Sequence, residues 1–196
     1  MLNIMLTGVG GQGTVLAAKM LAQAAQHKGW QVRTAETIGM AQRGGSVVSH
    51  VRMGDLGEAV PEPLLPLASA DLVVSFEPAE AVRALPYLAP QGMLVTATSA
   101  IQPVTAALSE RGYEPGEVLA YLQGTVPDFL AVDDQALCEK LGTRKVLNTV
   151  LLASAVKACS FEIGVNDLRQ AVCDLVRPQF IDVNLAAIDA VDGLPS

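Results

Sequence analysis

The sequence has 196 residues, a formal net charge of −7 and an apolar fraction of 51%. That length suits one domain with a proper core, and the acidic balance argues against a nucleic-acid partner, which would need a basic face. No apolar run approaches the roughly 20 residues that span a bilayer, so no membrane is expected; the mean hydropathy of +0.36 suggests instead that another chain covers part of the surface.

The chain opens on a short apolar run, Leu2 to Leu6, followed by Gly8-Val9-Gly10-Gly11-Gln12-Gly13. From Thr14 to His27 the apolar residues Val15, Leu16, Met20, Leu21 and Ala24 recur at helical spacing. Strand, glycine turn and helix together give a G-x-G-x-x-G match its meaning. Glycines let the backbone turn tightly and bring its N–H groups close to a bound group. The helix start behind them adds partial positive charge, which suits an anion. The alternative is a tight turn with close helix–strand packing and no ligand.

Gly29 ends the helix, and Gln31 to Glu36 reads as a second strand. These parts form a β-α-β unit with parallel strands and a right-handed crossover. Glu36 stands near where a dinucleotide-binding protein places its ribose acid; a strand-end carboxylate facing solvent or a partner is the equal alternative. Residues 37–46 hold three glycines and no amphipathic face, so they read as a loop. Strand character resumes from Ser46 to Met53. Residues 55–70 carry Pro61, Pro63 and Pro66, which predict an extended, exposed connection.

Asp71 to Phe76 is the continuous apolar run of a central parallel strand. Glu77-Pro78 starts a helix expected to reach about Leu88. Met93 to Thr96 is a strand, residues 103–111 a short helix, residues 112–127 irregular, and Phe129 to Val132 a further strand. Asp133 and Asp134 can cap the helix carrying Cys138. Arg144 to Cys159 is expected to be the longest helix, apolar around nearly its whole circumference. It lies either between the sheet and a second subunit or within one fold. Residues 166–175 and 179–190 form two closing helices, split by Arg177-Pro178. No repeat or linker divides the chain, so residues 1–196 read as one domain.

Catalytic equipment is sparse. There is no nucleophile elbow, metalloprotease motif or P-loop lysine. His27 and His50 are far apart without acidic neighbours at ligand spacing, so no metal site is expected. Cys138, Cys159 and Cys173 are widely spaced. With no secretory signal in view they read as reduced cytoplasmic thiols, with no four-cysteine iron–sulfur motif. Cys159 reads as a small buried residue. What the chain does have is two glycine-rich loops at the ends of consecutive strands, where open α/β sheets bind ligands. The second brings Gln42 and Arg43, an amide and a fixed cation able to hold a phosphate or carboxylate. A surface salt bridge is the alternative for Arg43.

The first glycine motif together with the run from Glu36 through Gly39-Met40-Ala41-Gln42-Arg43-Gly44-Gly45 to Val47 resembles the gamma subunit family of 2-oxoacid:ferredoxin oxidoreductases. The resemblance covers nearly the whole chain, including Ala70 to Val74 and Phe180 to Leu185. It implies a three-layer, Rossmann-like α/β fold with a mostly parallel sheet. It implies membership of a complex that oxidatively decarboxylates a 2-oxoacid such as pyruvate or indolepyruvate to an acyl-coenzyme A. In such a complex thiamine diphosphate, Mg2+ and [4Fe-4S] clusters belong to partner subunits, and none is bound by this chain alone. Ferredoxin is reached through those partners, which fits an acidic chain that would repel an acidic ferredoxin. A homodimer is possible for the isolated chain. The binding-side residues implied are Gly8, Gly10, Gly11, Gln12, Gly13, Glu36, Gly39, Met40, Gln42, Arg43, Gly44 and Gly45, turned toward the partners and toward coenzyme A; none is catalytic. The family's Ser-Glu pair before the second motif is here Ala35-Glu36, which keeps the acid but drops the polar contact at position 35. Two further readings remain open on the residues: a free-standing NAD-type dinucleotide-binding protein resting on Gly8, Gly10, Gly13 and Glu36, and a scaffold whose loops meet only protein backbone.

Overall fold

The computed structural model describes residues 1–39, 45–55, 57–101, 113–159 and 161–194. Its centre is a six-stranded sheet of β1 (Leu2–Val9), β2 (Gln31–Ile38), β3 (Ser46–Gly54), β4 (Ala70–Ser75), β5 (Leu88–Ala97) and β6 (Phe129–Val132), in the order β2-β3-β1-β4-β5-β6. Strand β4 pairs in parallel with β1 and β5, and β5 with β6. Strand β3 is antiparallel to both its neighbours, β1 and β2. The sheet is therefore mostly parallel, with one reversed strand.

That reversed strand splits the expected β-α-β unit without changing its strand directions. β2 does run in the direction of β1, since two antiparallel pairings separate them, but β3 lies between. Chain length explains it. Only seven residues, Gly39 to Gly45, join β2 to β3, whereas a parallel return needs a crossover of about a dozen or more.

The alternation of side chains sorts the core into two layers. Ile4, Leu6, Leu72, Val74 and Val95 face α1 (Thr14–His27) and α5 (Leu147–Ala158), with α6 (Val165–Leu175) and α7 (Pro178–Asp192) completing that side. Met5, Val73 and Leu94 face the opposite way, toward α2 (Pro78–Ala84) and α3 (Pro115–Thr125). Because both faces are covered, β4 reads as an unbroken apolar run. Helix α1 ends where expected: Gly29 takes φ +78°, and its N–H donates to the Gln26 carbonyl at 2.9 Å.

Several expected boundaries differ. Helix α2 stops at Ala84 and gives way to a 3-10 turn, Leu85–Tyr87; β5 begins at Leu88 and carries Pro90 within it. Residues 112–127, expected to be irregular, contain α3. Pro115 occupies its first turn, where a missing N–H costs nothing, and Leu122 alone is buried along it, so the sequence offers almost no apolar stripe. The expected helix at 103–111 lies outside the described residues. The expected long helix from Arg144 is a 3-10 turn, Arg144–Val146, followed by α5; α7, with 15 residues against 12, is the longer. Residues 147–156 are all buried, enclosed by the sheet, α1, α4 (Asp134–Lys140), α6 and α7. Of the two alternatives for α5, packing within one fold is the one observed. Cys159 is not a core residue of that helix: it is the half-buried residue after it, its Sγ 3.4 Å from Met93 Sδ. The proline-rich connection has no regular element among its described residues but anchors itself by burying Val60 and Leu65.

Candidate functional site

The carboxyl ends of β1, β2, β4, β5 and β6 share one edge of the sheet, and the two glycine loops meet there. The Gly10 N–H donates to the Gly45 carbonyl at 3.0 Å, and the Gly39 N–H to the Ser46 carbonyl at 2.8 Å. Gly11 and Gly13 take φ +100° and +88°, the left-handed region that a side chain disfavours. At Gly8 close packing is the reason for glycine: a Cβ would stand 2.9 Å from Phe76 Cβ and 2.7 Å from Gln12 Oε1.

Gln12 is occupied by its own fold. Its Oε1 accepts from the Val9 N–H at 2.7 Å, and its Nε2 donates to the Phe76 carbonyl at 2.9 Å. The amide thus ties the turn after β1 to the end of β4. Met40, Gln42, Arg43 and Gly44 lie outside the described residues. Glu36 is exposed and opposite Ser49 of β3. β2 continues two residues past it to Ile38, so it does not end the strand. With β3 interposed, it sits two strand spacings from β1, about 9–10 Å, instead of the single spacing of a dinucleotide fold. The structure therefore brings together Gly8, Gly10, Gly11, Gln12, Gly13, Gly39 and Gly45, and leaves Glu36 apart from them.

A cavity of about 600 Å3 adjoins the first turn, lined by Gly11, Gln12 and Gly13 on one side and by Ser99, Arg144, Lys145 and Asn148 on the other. Sequence reasoning missed this second wall, because its residues come from two separate segments with no shared motif. Asp134, fully buried, organises it: one carboxylate oxygen accepts from the Ser99 N–H at 2.9 Å, the other from the Ser99 hydroxyl at 2.5 Å and from Arg144 Nη2 at 3.1 Å. Asp133 takes the capping role, accepting from the Ala136 N–H at 3.0 Å. Two buried carboxylates, Glu77 and Glu80, flank the other loop. Glu80 accepts from the Ser46 hydroxyl at 2.6 Å and pairs with Arg83. Glu77 caps α2 and accepts from the Tyr113 hydroxyl at 2.6 Å; burial and that carboxylate hold the Tyr113 phenol well above its ordinary pKa.

Cys138, Cys159 and Cys173 remain separate free thiols, and among the described residues no three His, Cys, Asp or Glu side chains converge to hold a metal ion. No helix among those residues is long and apolar enough to cross a membrane.

A mixed six-stranded sheet covered by helices on both faces, with its glycine loops joined at one rim, defines a Rossmann-like α/β fold. The chain belongs to the pyruvate ferredoxin/flavodoxin oxidoreductase family, whose model matches residues 3–191. It is 35% identical over 201 residues to the indolepyruvate oxidoreductase subunit IorB of Archaeoglobus fulgidus, covering 100% of this chain and 98% of that one. In fold it is similar to the keto/oxoacid ferredoxin oxidoreductase gamma subunit of Geobacter sulfurreducens (TM-score 0.71, 22% identity, 97% and 94% of the two chains). It also matches part of the 2-oxoglutarate:ferredoxin oxidoreductase of Magnetococcus marinus, solved with 2-oxoglutarate, coenzyme A and succinyl-CoA (TM-score 0.69, 18% identity, 99% of this chain and 31% of that one). The free-standing NAD-type reading finds no support: its acid is displaced by β3, and these relatives are oxidoreductase subunits.

Proposed function

We propose that this chain is the gamma-type subunit of a cytoplasmic 2-oxoacid:ferredoxin oxidoreductase, acting on an aryl or alkyl 2-oxoacid such as indolepyruvate or pyruvate. The observation that carries the reading is the full-length likeness to an indolepyruvate oxidoreductase subunit. The glycine rim of Gly8, Gly10, Gly11, Gln12, Gly13, Gly39 and Gly45 is the face offered to the partner subunits and to coenzyme A, and the motif residues Met40, Gln42, Arg43 and Gly44 are assigned the same role on sequence alone. Thiamine diphosphate, Mg2+ and the [4Fe-4S] clusters, which supply decarboxylation and electron transfer, are assigned to partners. The three dispersed cysteines of this chain do not fit a four-thiolate cluster. Its own part is to bind, orient and exclude water at the rim. The free thiols suit a reducing compartment.

Co-expression with a large thiamine-binding subunit tests the reading. A stable complex that reduces ferredoxin when given a 2-oxoacid and coenzyme A supports it; a chain that never co-purifies with such a partner overturns it. Within the complex, Arg43→Ala raises the apparent KM for coenzyme A roughly tenfold if Arg43 holds a phosphate. Weakened assembly with an unchanged KM would favour the scaffold reading.

A further inference from the structure

The cavity beside the glycine turn has a cationic wall that the glycine motifs do not include. Arg144 and Lys145 open the 3-10 turn leading into α5 and both line that cavity. Their placement runs against local electrostatics, since cations at the start of a helix oppose its dipole. Arg144 spends a single nitrogen, Nη2, on Ser99 and Asp134; its side chain is otherwise 55% exposed. Lys145 has no carboxylate within 4.0 Å among the described residues and rests 5.5 Å over the Phe180 ring. In a chain of net charge −7, two adjoining cations beside a glycine turn are a local reversal of sign. A buried carboxylate that bonds one edge of a guanidinium fixes where its remaining donors stand.

We infer that Arg144 and Lys145 hold a phosphate-bearing ligand in this cavity, and that Asp134, directly and with Ser99, is the positioning residue that fixes Arg144 for it. The inference rests on the reading of the rim as a ligand-facing edge. The ligand chemistry is a diphosphate or phosphate monoester, which coenzyme A or a partner's thiamine diphosphate would each present.

Titration calorimetry of the full chain with inorganic pyrophosphate is the test. Binding that weakens tenfold or more in both Arg144→Ala and Lys145→Ala is expected. Lys145→Ala leaves the Asp134 pair intact and so guards against a folding defect in the other variant. Asp134→Asn and Ser99→Ala, measured well below their melting temperatures, should also weaken binding although Arg144 is unchanged. A merely structural Asp134 would lower the melting temperature and leave affinity unaltered or tightened, which overturns the positioning role. Equal affinity in wild type, Arg144→Ala and Lys145→Ala, or no binding at all, overturns the site. In the assembled complex the same variants identify the source: a raised KM for coenzyme A at unchanged thiamine diphosphate retention points to the first, the reverse to the second, and a change in neither counts against the site. If the complex assembles while pyrophosphate does not bind, this inference alone fails. If pyrophosphate binds through Arg144 but no partner is ever retained, the subunit assignment fails instead.

Discussion

Asn148 lies flat against Gly13: its Cβ, Cγ and Nδ2 would each stand 3.2 Å from a Cβ added to that glycine. The first helix thereby begins in direct contact with the first turn of the buried α5. Gly11, two residues earlier, shares the left-handed backbone, yet a Cβ there would meet nothing within 4 Å. Gly11→Ala should cost only the conformational penalty, about 1–2 kcal/mol. Gly13→Ala adds overpacking against Asn148, about 1–3 kcal/mol more. Urea melts of the two variants measure the difference directly; equal losses would mean that Asn148 yields.

The Gln12 amide ties the turn after β1 to the end of β4. Gln12→Ala removes two hydrogen bonds between the turn and the ends of β1 and β4. At about 1 kcal/mol each, the variant should lose roughly 2 kcal/mol of stability. Hydrogen exchange at the Val9 amide should accelerate with it. A ligand-affinity defect at full stability would contradict this account.

His50, buried on β3, accepts from the Leu65 N–H at 3.3 Å through Nδ1 and meets the Tyr87 ring edge-on. Burial lowers its pKa below the ordinary 6.5. Between that lowered value and 6.5 the unfolded chain binds more protons than the folded one. The contribution of the neutral ring is complete above pH 6.5 and is lost as pH falls through the window. Melting temperature should therefore decline below about pH 6.5, and His50→Gln should flatten that part of the profile.

The three thiols should label in sequence. Cys173 is exposed and reacts first with a thiol reagent at neutral pH. Burial pushes the Cys159 thiol up to about 11, and burial together with the Asp134 carboxylate raises that of Cys138, with Arg144 opposing. Since the thiolate is the nucleophile, one fast equivalent followed by two slow ones is expected, with all three fast only in denaturant. Two fast equivalents under native conditions would refute this order.

Lys157, on α5, donates to the carbonyls of Val191, Asp192 and Leu194 at 3.2, 2.9 and 2.5 Å. These carbonyls close α7, which has no basic residue of its own in its last turn. Lys157→Met keeps the stem and removes the donors. Exchange should quicken across residues 190–194, at a cost of about 1–2 kcal/mol.

Local periodicity made most of the fold legible. Helix α1 announced itself through Leu16, Met20 and Ala24, and β4 through its unbroken apolar run, because burial writes those patterns directly. Strand direction leaves no such mark: Val47, Val51 and Met53 would alternate identically in a parallel strand. The one available signal was the shortness of the Gly39–Gly45 link. Helix α3 was hidden because a helix burying Leu122 alone has no stripe to read. At the site, the glycines were legible since turns are written locally. Ser99, Asp134 and Arg144 were not, because folding alone brings them together. Glu36 looked like a ribose acid by its distance along the chain, and the inserted β3 removed it in space.

The bond between Gly10 and Gly45 runs from main chain to main chain. No exchange of side chains can cut it, short of proline at position 10. Neighbouring rim positions are therefore free to change size, charge or polarity while the loops keep their mutual spacing, so a single frame can be re-dressed for different companions without being rebuilt.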